Sequence, residues 1–286
     1  MVSVIIAAHN EEAVIASCLD ALLAERSGRE IEIIVSANGC TDRTAEIAAS
    51  RGVVVVDRPG PGKPGALNAA DEIATGFPRV YLDADIVVPP GGLDAVLSRF
   101  DGLPAPLAVA PRRRIDTTGR PWPVRAYFAI NERLPVFRNS LFGRGMIAVS
   151  EAGRRRFDAF PDLVADDLFL DAQFTEDEKS EVRDVQIFVE APHTTRQLLR
   201  RLTRVRRGNA QMRDASDAGA VNASVRRSNK WSWFRDVVVP EPRLVFAAVP
   251  YVVITLSAGL LARRKPKADS WGRDESTRRS TRGEAS

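Results

Sequence analysis

The sequence predicts an α/β fold, a doubly wound and mostly parallel sheet, on three observations. Short β-branched runs alternate with helical patterns through the first hundred residues. The opening run Val2–Ala8 is continuously apolar, as a strand covered on both faces must be. The polar clusters fall just after strands, where sheets of this kind bind their ligands.

Strand Val2–Ala8 leads into a helical pattern over residues 11–25, in which Val14, Leu19, Leu22 and Leu23 share a face. Strands follow at 31–35, 53–56 and 80–82, alternating with helices at 43–50, 66–74 and 93–100. From 107 to 189 the pattern is less regular, with strands expected at 107–110, Met146–Val149 and 185–189 and helices at 124–133 and 168–174. Residues 195–212 read as a very basic helix. After Pro240-Glu-Pro242 an uncharged stretch runs from 244 to 262, and a polar tail, expected to be disordered, occupies 263–286.

Composition narrows the classes. With 286 residues, 44% hydrophobic and 27% charged, and with 19 Gly and 18 Pro, collagen, low-complexity and disordered chains are excluded. The length suits one large domain or two small ones. Cys18 and Cys40 imply no disulfide framework, and no Cys/His zinc spacing occurs. Residues 1–8 lack a basic leader and are cut short by His9-Asn10-Glu11-Glu12, so a buried strand is expected rather than a signal peptide, and a cytoplasmic catalytic part. Charge is uneven. Residues 1–190 carry 21 Lys and Arg against 29 Asp and Glu, a net −8, whereas residues 191–286 carry 20 against 8, a net +12. A basic rear half implies a phosphate-rich partner: a phosphorylated small molecule, a membrane surface or nucleic acid.

Three motifs carry chemistry. Asp83-Ala-Asp85 closes an apolar strand, whose period of two is expected to aim both carboxylates to one side. Two oxygen ligands at a strand end suit Mg²⁺ or Mn²⁺ bridging a diphosphate. Alone the triplet is weak, because 21 Asp in 286 residues yield about 1.5 such triplets by chance. Asn38-Gly-Cys-Thr-Asp42 is a turn entering a helix, with Thr41 or Asp42 as cap. Pro59-Gly-Pro-Gly-Lys63-Pro-Gly is a Gly/Pro loop that can offer N–H groups and an ammonium to a phosphate. Either loop alone also reads as an ordinary strand-to-helix connection.

In order, these pieces resemble the inverting glycosyltransferases of family 2, which have the GT-A fold. The resemblance rests on Ile5-Ile-Ala-Ala-His-Asn-Glu-Glu12, Ala37-Asn-Gly-Cys-Thr-Asp42, Gly62-Lys-Pro-Gly-Ala-Leu-Asn68 and Leu82-Asp-Ala-Asp85. It continues in Gly143-Arg-Gly-Met146, Ala165-Asp-Asp-Leu168 and the arginine cluster ending Arg207-Gly208, and spans about residues 1–210. Trp271-Gly-Arg-Asp-Glu275 is similar to the tails of polysaccharide-assembling members.

The resemblance implies roles. Ala7, His9, Asn10 and Glu12 would line the nucleotide, with Asn38, Asp42, Lys63 and Arg207 also on the donor. Asp83 would lie near the ribose, and Asp83 and Asp85 would hold the metal, Mg²⁺ or Mn²⁺. Asp167 would be the general base on the acceptor hydroxyl, with Asp166 beside it as structural cap or acceptor contact. Arg200-Arg-Leu-Thr-Arg204-Val is similar to the family's Gln-x-x-Arg-Trp element. Arg204 matches and would stabilise the departing diphosphate. Arg201 and Val205 depart from the Gln and Trp, which weakens a processive reading. Ala37 replaces an Asp that often contacts the base, so a UDP-sugar is the default donor and GDP or dTDP stay open. His193 reads as a plain loop residue.

Domains are expected at 1–215 (a nucleotide-sugar half, 1–100, and an acceptor half, 101–215), with a basic, aromatic juxtamembrane segment at 216–243. Residues 244–262 are just long enough to cross ~30 Å of hydrocarbon. Arg226, Arg227, Lys230, Arg235 and Arg243 precede and Arg263, Arg264, Lys265 and Lys267 follow, so charge selects no orientation. Spanning, interfacial or re-entrant, and buried soluble helix all stay open; membrane contact at the cytoplasmic face, near a lipid-linked or saccharide acceptor, is the expectation. Two other classes compete. A nucleotidyltransferase calls for a Gly-rich basic loop after the first strand, where this chain has His9-Asn10-Glu11-Glu12. A nucleic-acid or lipid-binding protein calls for steep salt dependence, but the basic run lacks aromatic interleaving, so no nucleic-acid partner is expected.

Overall fold

The computed structural model describes residues 1–25, 27–60, 62–163, 165–219 and 229–264. In chain order the first elements are β1 (Val2–Ala8), α1 (Ile15–Leu23), β2 (Ile31–Asn38), α2 (Thr44–Ala49), β3 (Val54–Arg58), α3 (Lys63–Ile73), β4 (Arg79–Asp83) and α4 (Gly92–Leu97). Then follow β5 (Ala108–Asp116), α5 (Trp122–Asn131), β6 (Met146–Val149), α6 (Glu151–Arg154), α7 (Asp166–Ala172), β7 (Lys179–Glu190), α8 (Thr195–Asp217) and α9 (Val245–Arg263).

The chain forms two compact units. The first comprises Met1–Arg114, Asn139–Val189 and the described part of Met212–Arg226. It is built on a seven-stranded sheet ordered β3-β2-β1-β4-β6-β5-β7. Strands β3, β2, β1 and β4 run parallel, with Ile5 opposite both Ile34 and Tyr81. Alternate residues of β1 point to opposite faces. Val4 and Ile6 join a core with Leu19 and Leu22 of α1 and Leu93 of α4, while Ile5 joins a second core with Leu67 and Ala70 of α3. The strand is therefore buried on both faces, which is why its sequence is apolar throughout.

The expected α/β architecture is present. Beyond β4 the sheet turns antiparallel: β6 runs against both β4 and β5. Helix α1 starts at Ile15 rather than at residue 11, because residues 9–12 are bonded to the turn after β2. Strand β7 is 12 residues long, well beyond the expected 185–189. Its first half reads Lys-Ser-Glu-Val-Arg-Asp, and only Lys179 and Val182 of that half are buried, so the apolar signal is thin.

The second unit comprises Ile115–Arg138, Glu190–Gln211 and the described part of Arg227–Ser286. Its core joins Val124, Tyr127 and Ile130 of α5, Leu198 of α8, Val237 and Val238, and Tyr251 and Ile254 of α9. The Tyr127 and Tyr251 rings stack with centroids 5.2 Å apart. The apolar stretch expected at 244–262 is helix α9. The tail from 265 onward, with the Trp271-Gly-Arg-Asp-Glu275 cue, and Arg226 and Arg227 lie outside the described residues.

Candidate active site

The turns after β1 and β2 are stitched together residue by residue. His9 Nδ1 lies 2.5 Å from the Asn38 carbonyl oxygen, so that nitrogen carries the proton. Asn10, in the left-handed region at φ 54°, accepts at Oδ1 from the Thr41 N–H at 2.7 Å. The N–H of Glu11 donates to Thr44 Oγ1 and that of Glu12 to Asp42 Oδ2. Asp42 also accepts from the Thr44 N–H and hydroxyl at the start of α2. Burial opposes its charge, but these donors hold its carboxyl below the ordinary value. Asn10 and Asp42 thus have local structural partners. The Asn38 side chain is buried, and its Oδ1 has no partner. Glu12 is exposed and pairs with Arg43 at 3.6 Å, and Ala7 lies in β1 between Ser36 of β2 and Asp83 of β4.

The charged centre lies beyond β4. The strand stops at Asp83; residues 84 and 85 form a turn closed by the Ile86 N–H on the Asp83 carbonyl, 3.1 Å. The period of two therefore does not extend to Asp85. Asp85 is exposed and Asp83 half-buried. Lys63 opens α3 behind Gly62, whose φ of 132° suits only glycine. Its ammonium lies 2.7 Å from Asp83 Oδ1 and 2.8 Å from Asp166 Oδ2. Burial works against this charge, and Asp166 and Asp83 outweigh it, holding the lysine well above its ordinary pKa.

Asp167 is placed by two backbone donors: the Gly143 N–H at 2.7 Å on Oδ2 and the Leu168 N–H at 2.7 Å on Oδ1. One turn further along α7, Asp171 accepts from the Leu141 N–H at 2.8 Å and pairs with buried Lys179 at 3.0 Å. Two carboxylates four residues apart thus grip alternate N–H groups of the segment before β6, and α7 cannot rotate without breaking both. Asn68 of α3 adds a third tie, exchanging bonds of 2.8 and 3.0 Å with the Phe160 peptide. Burial and the neighbouring Asp166 charge push the Asp167 carboxyl up to about 6, against the opposing pull of Lys63 and the Gly143 N–H. An acid tuned to that value is a competent base near neutrality.

Gly143 and Gly145 have functions the motif reading did not assign. Gly143, at φ 66°, supplies the Asp167 donor. Gly145, at φ 72°, accepts from the Asp83 N–H, and a Cβ there would meet the Ile86 side chain at 2.7 Å. The signal in the sequence was Gly-x-Gly directly before a strand. Cys18 sits behind Asp83; burial, with the Asp85 and Asp83 charges, pushes its thiol up to about 12, so it is inert.

Among the described residues no group of three or more His, Cys, Asp or Glu gathers as a metal cage. Asp83 and Asp85 are hard oxygen donors that leave most of a six-oxygen shell to phosphate and water, the pattern in which Mg²⁺ and Mn²⁺ are held. The donor set fits such an ion. Arg204 and Arg207 belong to the second unit. Arg204 is exposed on α8, and Arg207 donates to the carbonyl oxygens of Leu261, Ala262 and Arg264. His193 is half-buried in that unit, its Nε2 without a partner.

A mostly parallel sheet with an acidic, lysine-bridged cluster beyond its strand ends is an α/β arrangement of the GT-A kind. Residues 3–158 match the model of Glycosyl transferase family 2, and the chain belongs to that family. No curated protein sequence matches it. Its fold is similar to that of mannosyltransferase PcManGT from Pyrobaculum calidifontis in complex with GDP-Man and Mn²⁺, at 20% identity and a TM-score of 0.60, over 93% of this chain and 76% of that one. It is also similar to S. aureus TarS 1-349 in complex with UDP-GlcNAc, at 18% identity and a TM-score of 0.53, over 66% of this chain. The match spans 58% of that TarS chain and 36% of a longer TarS chain.

Proposed function

We propose that this family 2 glycosyltransferase is an inverting, metal-dependent enzyme. It moves a sugar from a nucleotide-sugar, by default a UDP-sugar, to a hydroxyl of a lipid-linked, saccharide or small-molecule acceptor in polysaccharide or glycolipid assembly. The observation that carries the reading is the Lys63, Asp83, Asp166 and Asp167 cluster, with the Asp167 carboxyl fixed by two N–H donors and pushed up to about 6.

Asp167 accepts the proton of the acceptor hydroxyl as that oxygen attacks the anomeric carbon. The new C–O bond forms on the face opposite the diphosphate, which leaves with the electron pair of the broken bond. Asp83 and Asp85 hold Mg²⁺ or Mn²⁺, which when bound neutralises charge on the diphosphate. Lys63 sets the spacing of Asp83 and Asp166 and adds positive charge beside the donor. His9, Asn38 and the backbone of Ala7 line the nucleotide, while Asn10, Glu12 and Asp42 shape that wall through their mutual bonds. Arg204 is assigned to the departing diphosphate, and Arg207 is read as a cap on α9. Residues 1–215 would form the transferase domain. The one helix among the described residues long and apolar enough to cross a membrane supports membrane association; the side we propose is the cytoplasmic face of an anionic membrane.

The test is transfer and donor hydrolysis by the purified full chain over a panel of nucleotide-sugars, with Mn²⁺ or Mg²⁺. Binding is read separately as a thermal shift, since a tight donor stabilises the fold by mass action. Asp85→Ala and Asp167→Asn are each expected to lose turnover, and retained turnover in both variants rejects the assignment.

A further inference from the structure

Helix α9 is apolar on two faces, and only one of them is covered. Ala248, Tyr251 and Ile254 are buried in the second unit's own core, and Ala258 is buried on the same side of the helix. Val245, Phe246, Val249, Val253, Leu256 and Leu260 are 51–78% exposed. At 100° per residue these six fall in one stripe about 100° wide that runs the length of the helix, about 28 Å. A continuous uncovered stripe of this kind marks a docking surface rather than scattered exposure.

The neighbours of the helix decide how it can meet a bilayer. Helix α5 packs along it, with Tyr127 stacked on Tyr251 at mid-length. At its C-terminal end Arg207 of α8 holds the carbonyl oxygens of Leu261, Ala262 and Arg264, and the Arg206 guanidinium lies 3.6 Å from where Gly259 would carry a Cβ. Helix α8 also exposes Arg196, Arg200 and Arg204, and α5 exposes Arg125. Were α9 to stand across the bilayer with α5 attached, exposed Arg125, two residues from the stacked Tyr127, would be drawn into hydrocarbon, where charge is expensive. Laid flat, the same packing leaves only the stripe in contact with acyl chains. The charge at its C-terminal end matches an anionic surface: Arg263 and Arg264 are exposed there and the helix holds no acidic residue, whereas Arg243 at the other end is paired with Glu241.

We propose that α9 lies in the plane of an anionic membrane as a one-sided anchor, with the stripe from Val245 to Leu260 immersed and the helix not spanning. This deepens, and rests on, the membrane association proposed above.

The test uses the full chain added to sealed vesicles of phosphatidylcholine with phosphatidylglycerol. Val239→Cys and Arg264→Cys, which flank α9, are probed with a membrane-impermeant maleimide and read peptide by peptide, so that Cys18 and Cys40 report separately. Both engineered cysteines are expected to react without lysis. Val249→Glu with Val253→Glu should lower vesicle flotation by ~10-fold or more, and Arg263→Gln with Arg264→Gln by roughly fivefold per charge on anionic vesicles only. Far-UV circular dichroism checks that the fold survives, and Phe246→Ser supplies a milder stripe variant. If one cysteine reacts only after lysis, the helix spans: the flat anchor is overturned while membrane association stands. If the unaltered chain fails to float, both fall. A stripe variant that floats undiminished overturns the anchor. So does a soluble dimer that the stripe variants dissociate, since the stripe would then cover a second copy.

Discussion

The two units spend their sequence in opposite ways. In the first, polar groups go inside: Ser3, Asn10, Ser36, Asn38, Thr44, Asp71, Ser140, Arg144, Asp171 and Lys179 are buried there, whereas Thr203 is the one such residue described in the second. The buried charges are matched, Asp71 by Arg79 and Arg154, Asp171 by Lys179, Arg144 by Glu181. Networks of this kind add little net stability but fix one geometry, because each broken bond leaves a buried group unpaired. In the second unit the excess is apolar and outside, on α9, Trp231, Phe234 and Trp122. A reaction centre demands polar atoms held in place; a surface that meets lipid demands only shape and hydrophobicity.

The sharpest way to break this contrast is at Asp167. Asp167→Asn keeps the shape but removes the base, and turnover should fall by about 10²–10⁴-fold with little change in circular dichroism. A loss no larger than tenfold would move the base elsewhere. Second in size is the pH response. The base must be ionised, so kcat/KM should fall about tenfold per unit as pH drops below about 6. Stability runs the other way. A carboxyl raised in the folded state favours the protonated form, so its contribution is full below the ordinary carboxylate value and is lost as pH rises through about 6. The melting temperature of the unaltered chain, relative to Asp167→Asn, should therefore fall between about pH 5 and pH 7.5, by ~2–4 °C for each ~1 kcal/mol lost. An unchanged melting curve would mean the carboxyl is not strained by its burial.

Gly143→Ala tests how the base is held. A Cβ there meets Arg113 Nη1 at 2.8 Å, at a φ of 66° that L-residues rarely adopt. Displacing the N–H donor should cut turnover by roughly tenfold and move the acid limb upward, because a bond favouring the carboxylate is lost. A drop in turnover with an unmoved limb would reduce Gly143 to packing. The smallest effect on catalysis is expected in the second unit. Tyr251→Ala, which removes the stack on Tyr127, should cost ~3 kcal/mol in stability while donor affinity stays within twofold. A large loss of donor affinity would show that the division of labour is wrong.

Much of this was legible in the residues. The apolar run Val2–Ala8, the alternation through α4, the Lys63 loop and the Asp166-Asp167 pair are local signals, and local signals survive in a one-dimensional reading. The acceptor side was harder. Strand β7 carries its polar residues outward, and β5 runs on through Pro111 and three arginines, so neither shows the period that betrays a strand. Asn10 and Asp42 sit in the expected motifs, yet their bonds go to each other's turns, which only the approach of β1 and β2 could reveal.

By itself the sequence determined the class of fold, the order of its motifs and the presence of one long apolar helix, because each depends on residues near one another in the chain. The tertiary structure alone decided that Lys63 bridges Asp83 and Asp166, that a glycine N–H aims Asp167, and that α9 keeps one face bare. Those are contacts between residues 20 to more than 100 positions apart. Hydrophobic period reports which side of an element is apolar, but only packing reports which apolar side finds a partner.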